Sequence, residues 1–457
     1  MKILNRILKG ISENIIDRCI NVIIKFIEPI IFISLASIET YGTWLVIFSL
    51  PAYIMISDLG FSTVGQNQIN MNIKLGKFKA AQKNFLNTLN LMIILNIIFS
   101  IFFFIILKKL FDIGFLKLEN INSKEFYSIS IIIILYTFIH QLNGLYLGVY
   151  PAHNKYYFKI RVGYISKILE ICLLFYGLLN NNSFQIILLY FLVFKILIFI
   201  FIFIDTKMKY DWIKFQLTLD KNYIKKNFSH ATSYLMFPIT NALKYQSTNL
   251  IINAFLGPKY VAILSIYLTL SRVMVNFTSI TDGIIKVEVA KLWISKQFKN
   301  LKKIFIFNIQ ITFYFSIMII LFLFFFNEMI FKIWMGETFV IERNLLYILI
   351  LSTFFQSLFF SSSTLLISTN NFKKITLYNF INALIFIICI FTLLKINPNL
   401  LIVAILFLVS DSIIFINALS FSSKMLNDKF IENLVKIFSL KSFKNSSYKV
   451  IGNFRKL

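Results

Sequence analysis

Apolar stretches about 20 residues long, separated by short polar connections, recur along this chain from end to end. A transmembrane helix needs about 20 mainly apolar residues, because it rises about 1.5 Å per residue through a hydrocarbon core about 30 Å thick. About twelve segments meet that requirement. In the first half they run near residues 15–36, 41–60, 86–107, 127–148, 162–180 and 184–205. In the second they run near 231–255, 261–282, 305–326, 343–367, 376–396 and 400–423. The pattern predicts an all-α integral membrane protein. Its first apolar segment carries five polar residues on one helical face, Asn14, Arg18, Asn21, Lys25 and Glu28. Their spacing alternates between four and three residues, so at about 100° per residue they occupy an arc of roughly 80°. A charged side chain near a bilayer centre costs at least about 2.5–3.5 kcal/mol and normally faces a water-filled cavity or a partner. The stripe therefore predicts a lined pathway inside a helical bundle.

Composition sharpens the class. Of 457 residues, 58% are hydrophobic and 14% charged, against about 25% charged in soluble domains, and the mean hydropathy is +0.77. A net charge of +26 raises the question of nucleic acid, but the cations form no single patch. They fill alternate loops: Lys74 to Lys83, Lys155 to Arg161, Lys207 to Lys226, Lys286 to Lys303, Lys373 with Lys374, and Lys424 to Lys456. That alternation obeys the positive-inside rule, predicts cytoplasmic termini with an even number of spans, and argues against nucleic-acid binding. The opening stretch Met1 to Gly10, with Lys2, Arg6 and Lys9 among Ile and Leu, predicts a short interfacial helix rather than a removable signal. Cys19, Cys172 and Cys389 lie in separate apolar segments, which disfavours disulfides and zinc. The sequence has no phosphate-binding G-x-x-x-x-G-K-[ST] loop and no metal-spaced histidines, so neither a cofactor nor a metal is expected. The protein is read as a transporter, not an enzyme, driven by an ion gradient, the membrane potential or removal of product.

The halves repeat at an offset of about 220 residues. Phe78-Lys79, Ala81, Lys83 and Phe85 match Phe298-Lys299, Leu301, Lys303 and Phe305; Asn21 matches Asn241 and Tyr127 matches Tyr347. His153-Asn154 matches Asn370-Asn371 at a slightly smaller offset. This predicts an N-terminal six-helix bundle over 1–205, a cytoplasmic basic linker over 206–230, a C-terminal six-helix bundle over 231–423 and a basic cytoplasmic tail over 424–457. Two repeats with even span counts share one membrane orientation and leave a central cleft between them.

Three motifs follow in order: Tyr41-Gly42-Thr43-Trp44, Asp58-Leu59-Gly60-Phe61, and Leu256-Gly257-Pro258-Lys259-Tyr260-Val261-Ala262. On these, nearly the whole chain resembles the multidrug, oligosaccharidyl-lipid and polysaccharide (MOP) exporter superfamily, and within it the Wzx-type flippases of O-antigen or capsule repeat units. The resemblance implies a twelve-helix, MATE-like transporter of the bacterial inner membrane. It would move an undecaprenyl-pyrophosphate-linked glycan from the cytoplasmic to the periplasmic leaflet by alternating access. Partners implied are that lipid-linked glycan, membrane lipids and other polysaccharide-assembly membrane proteins.

An anionic pyrophosphate calls for cations in the cleft, Arg for bidentate contacts and Lys as a point charge. The substrate-binding candidates are Arg18 and Lys25 on the first span, Lys244 on the seventh and Arg272 on the eighth, the last sharing a face with Ser265, Asn276, Ser279 and Lys286. Spans one, two, seven and eight line the cleft in lipid-linked precursor flippases of this superfamily. Glu28, beside Lys25, and Asp58, at the end of the second span, are candidates for gating or ion coupling. Lys195 reads instead as a structural partner of Glu170 or Asp411. Two other readings compete. A drug or cation antiporter of the same fold would line its site with carboxylates and aromatics. A membrane polymerase or ligase would carry a long outward catalytic loop, whereas the longest here is near 108–126.

Overall fold

The structure, a computed structural model, describes residues 2–118, 121–213, 216, 219–337 and 339–439. Among these there are helices and no strands. In chain order the helices are α1 (Lys2–Leu35), α2 (Ile38–Ile54), α3 (Phe61–Lys74), α4 (Phe78–Asp112), α5 (Ser123–Leu147), α6 (Tyr156–Leu179), α7 (Phe184–Lys209) and α8 (Lys221–Asn241). They continue with α9 (Ser247–Phe255), α10 (Pro258–Ser271), α11 (Val273–Ile294), α12 (Phe298–Met335), α13 (Arg343–Ser368), α14 (Lys373–Ile396), α15 (Leu400–Met425) and α16 (Phe430–Phe438). Two compact units result, Met1–Ile263 and Leu264–Leu457, with α10 running across the division.

Among the described residues eight helices are by themselves long and apolar enough to cross a membrane: α4 to α7 and α12 to α15. The α10–α11 pair qualifies as one span bent by 45°. Helix length and composition thus give eight or nine spans, fewer than the roughly twelve expected from the sequence pattern. The reason is local. Helix α1 is long enough, at 34 residues, but carries Arg18, Lys25 and Glu28 in its apolar part. The second predicted span breaks between α2 and α3, and the seventh breaks between α8 and α9. The segments that fall short, or qualify only when bent, are those predicted to carry the polar pathway. Helix α1 runs unbroken from Lys2, so the expected interfacial segment and first span form one element. Of the expected linker, residues 206–209 finish α7 and 221–230 open α8. Residues 440–457 of the expected tail lie outside the described residues.

The internal repeat is visible in backbone detail. Gly76 and Lys296, at the same offset, both take left-handed conformations two residues before α4 and α12 begin. Ala81 and Leu301, then Phe85 and Phe305, are equivalently buried in two separate apolar cores. Asn154 and Asn370 are both left-handed before α6 and α14, which places the second match one residue from the alignment read in the sequence. Tyr127 and Tyr347 both reach back to the preceding long helix, to Asp112 Oδ1 at 2.7 Å and to Asn327 Nδ2 at 3.4 Å.

Two glycines of the sequence motifs have specific work. A Cβ on Gly42 would lie 1.8 Å from the carbonyl oxygen of Pro258, so α2 and the start of α10 touch backbone to backbone. Gly60 sits at φ +81° as the N-cap of α3, and a Cβ there would lie 2.3 Å from the Ala231 carbonyl oxygen. Only glycine adopts that conformation and that approach without strain. Both contacts join motif residues to elements of the same compact unit.

Candidate functional site

The polar stripe of α1 is one of two. Asn14 and Asn21 turn back onto their own helix, donating to the carbonyls of Gly10 at 2.8 Å and Asp17 at 2.6 Å. Offset from them, Glu13 and Asp17 face α6. Glu13 accepts from Arg161 and from Tyr164 at 2.8 Å, and Asp17 pairs with Lys167 at 2.9 Å. The sequence reading passed over this second face, although its four-residue acidic spacing was available as a signal. The Arg161 hydrogen bond holds the Glu13 carboxyl below its ordinary value, against the opposing effect of burial. A carboxylate so lowered contributes stability above the ordinary glutamate range near 4.5, and that contribution disappears as pH falls through the lowered value. Thermal unfolding followed against pH should therefore show the wild-type midpoint dropping below about pH 4.5, with a smaller drop in Glu13→Gln.

Of the predicted cations, Arg18 is half-buried and Lys25 exposed on α1. Glu28 accepts a 2.8 Å hydrogen bond from the indole of Trp44, itself fully buried on α2, while the Lys25 charge also acts on it. Trp44 packs against Phe32, Phe48, Phe184 and Phe191, so Glu28 is tied to an aromatic cluster joining α1, α2 and α7. Asp58 lies in the turn between α2 and α3. It accepts from the Gly60 and Ser62 amides, at 3.0 and 3.2 Å, and from the Ser62 hydroxyl. That is N-terminal capping of α3, which needs a carboxylate because Gly60 at the cap has no side chain of its own. Asp58→Ala should lower unfolding stability by about 1 kcal/mol, the ordinary value of a lost cap, and Asp58→Asn by less, read from the denaturation midpoint.

The same turn is anchored inward. Ser57 donates to Asn96 at 2.9 Å, Asn96 to Gln141 at 2.7 Å, and Gln141 to the Ile54 carbonyl at 3.0 Å. Tyr53 meets Ser247 of α9 at 2.7 Å. Lys244 is buried in a π-helical turn at Ala242–Gln246, between α8, which contains Pro238, and α9. Its ammonium lies 6.0 Å from the Tyr245 ring centroid. Single π turns inside helices recur at functional sites.

Arg18, Lys25, Glu28, Asp58 and Lys244 all belong to the first compact unit, whereas Arg272 belongs to the second. Arg272 stands at the break between α10 and α11, where the axis bends by 45°. The face shared with Ser265, Asn276, Ser279 and Lys286 is therefore not one straight stripe: Ser265 lies before the bend and the others after it. Lys195 pairs with Glu170 at 2.7 Å and donates to Ser166 at 2.7 Å, while Asp411 accepts from Ser352 at 2.7 Å. Of the two partners expected for Lys195, the structure selects Glu170.

These helices, several of them long and apolar enough to span a membrane, define a multi-pass helical fold. The chain is similar over 88% of its length to 94% of an inward-facing multidrug resistance MATE family transporter of the MOP superfamily, at TM-score 0.74 and 13% identity. An outward-facing structure of such a transporter matches at TM-score 0.64 and 12% identity, covering 92% of this chain and 95% of that one. A MOP superfamily transporter from Pyrococcus furiosus, whose reverse polarity of the binding pocket suggests a different function, matches at TM-score 0.65 and 11% identity, again over 92% and 95%. At such identities the likeness is one of fold. No family model and no curated protein matches the sequence.

Proposed function

We propose that this protein is a flippase that carries an undecaprenyl-pyrophosphate-linked oligosaccharide across the bacterial cytoplasmic membrane by alternating access. The observation that carries this reading is the different employment of acids and bases in the polar helices. Both candidate carboxylates have structural tasks, Glu28 on the Trp44 indole and Asp58 on the α3 cap. The cations Arg18, Lys25, Lys244 and Arg272 all stand on the helices that are polar or broken. Cations on those helices suit a diphosphate, since each charge-assisted contact is stronger than a neutral one. The same fold is found in a transporter whose reverse polarity of the binding pocket suggests a different function. The similarity to multidrug MATE transporters favours a second reading, an ion-coupled antiporter of drugs or cations.

A strain lacking the gene separates the two. Lipid-linked repeat units in that strain should remain single and inaccessible to glycan-modifying enzymes in the periplasm, and wild-type protein should restore access. Normal accessibility without the protein would turn the assignment to cationic efflux. Accessible units left unpolymerised would point to a polymerase.

A further inference from the structure

Two adjoining cavities in the first unit, of about 540 and 380 Å³, have no part in the site above. They share Lys83, Asn87 and Asp220 as lining. Three helices build them from polar faces. Lys79, Lys83 and Asn87 follow one another at four-residue spacing along α4, as Gln68 and Asn72 do along α3, so each set lies on one side of its helix. The start of α8 closes the space. Gln68 donates to Asn227 at 2.5 Å, tying α3 to α8, and the Asp220 amide donates to Asn87 Oδ1 at 2.9 Å, tying α8 to α4.

Charge and hydrogen bonding select the same ligand. Lys79, Lys83, Lys221 and Lys226 line the cavities against a single carboxylate, Asp220. That carboxylate is already engaged, since it caps α8 by accepting from the Asn222 amide at 2.9 Å and pairs with Lys83 at 2.8 Å. An excess of positive charge is left facing the space. Asn87 adds an independent sign. It is 1% exposed and lines both cavities, and its orientation is fixed because a backbone amide can only donate to its Oδ1. Its Nδ2 then donates to none of the described residues. Buried donors are seldom left so, and an acceptor in the cavity completes it. A phosphate offers both the acceptor oxygens and the negative charge, and lysine binds phosphate as a point charge.

We propose that the space between α3, α4 and the start of α8 binds a phosphate group through Lys79, Lys83, Lys226 and Asn87, apart from any transported cargo. Occupancy braces α8 against α3 and α4. The cavities lie at the basic end of α4, a helix long and apolar enough to cross a membrane, and Met71, 64% exposed, lines one of them. Basic pockets at such helix ends take phospholipid headgroups, and a free phosphate shares that chemistry. The test is thermal unfolding of the full-length purified protein in detergent. One arm titrates pyrophosphate against chloride at constant ionic strength, and the other titrates phosphatidylglycerol against phosphatidylcholine in mixed micelles. At least one arm should raise the midpoint with the logarithm of concentration, as linkage requires. A rise with the lipid alone identifies a headgroup, and a rise with pyrophosphate shows that phosphate suffices. Lys79→Gln with Lys226→Gln, both at exposed positions, should raise the half-saturating concentration by roughly fivefold for each lysine. Asn87→Asp keeps the acceptor for the Asp220 amide but loses the donor, and should abolish the rise; if it does not fold, the lysine pair carries the test. Lys373→Gln with Lys374→Gln, exposed on α14 of the second unit, should leave the rise unchanged. No rise in either arm would overturn the site, as would an undiminished rise in the Lys79 and Lys226 variant. Equal weakening in the α14 variant would overturn it in favour of surface charge alone.

Discussion

Arg272→Ala and Lys25→Ala proteins, each expressed in the strain lacking the gene, should deliver lipid-linked glycan to the periplasm at rates reduced about ten- to a hundredfold. The magnitude follows from removing one charge-assisted contact to a diphosphate, worth about 1.5–3 kcal/mol, with each 1.4 kcal/mol a factor of ten. Membrane levels should hold, because Lys25 is exposed and Arg272 stands at a helix break rather than inside an apolar core. Conservative replacements separate charge from shape. Arg272→Lys keeps a point charge but loses the planar fork, so it should recover part of the rate if bidentate contact matters. Full delivery by both alanine variants, measured by periplasmic accessibility of the glycan, would remove these residues from the site.

Lys195→Ala should destabilise the first unit by about 3–5 kcal/mol, the usual consequence of leaving one member of a buried ion pair uncompensated. The pair is deep: the side chains of Lys195 and Glu170 are 6% and 15% exposed. Ser166 and Tyr136 complete its hydrogen bonding, the latter donating to Glu170 at 3.2 Å. The double variant Lys195→Met with Glu170→Leu removes both charges at similar volume and should regain most of the loss, since buried ion pairs often exchange for apolar ones at little cost. Unfolding midpoints of the wild type, both single variants and the double variant close the cycle. A single variant as stable as the wild type would mean the pair contributes little.

Much of the architecture was legible because a bilayer demands long apolar helices, and that demand writes itself into sequence as length. The eight spans that qualify unaided coincide with segments read from hydropathy, and the repeat survived down to the left-handed residues before α4 and α12. The breaks were less legible. The stretch 41–60 reads as one span although α2 ends at Ile54, and nothing local marked the π turn at Lys244 or the bend at Arg272. Polar residues facing one another from different helices were least legible of all. The stripe of Asn14 to Glu28 was found by spacing, whereas Glu13 with Arg161 and Asn87 with Asp220 were not, since each partner is more than a hundred residues away.

Sequence by itself therefore determined the environment of this protein, the class of its helices, its duplication and the sign of charge in its polar segments. All four depend on composition and on periodicity within one helix, which a single segment expresses alone. Only the tertiary structure decided which partner each polar group meets. It gave Asp58 to a helix cap, Glu28 to an indole and Lys195 to Glu170, and it brought Asn87 of α4 to Asp220 at the start of α8. The physical reason is that a buried polar atom must find its partner through space, and hydropathy along the chain carries no record of which helices will lie side by side.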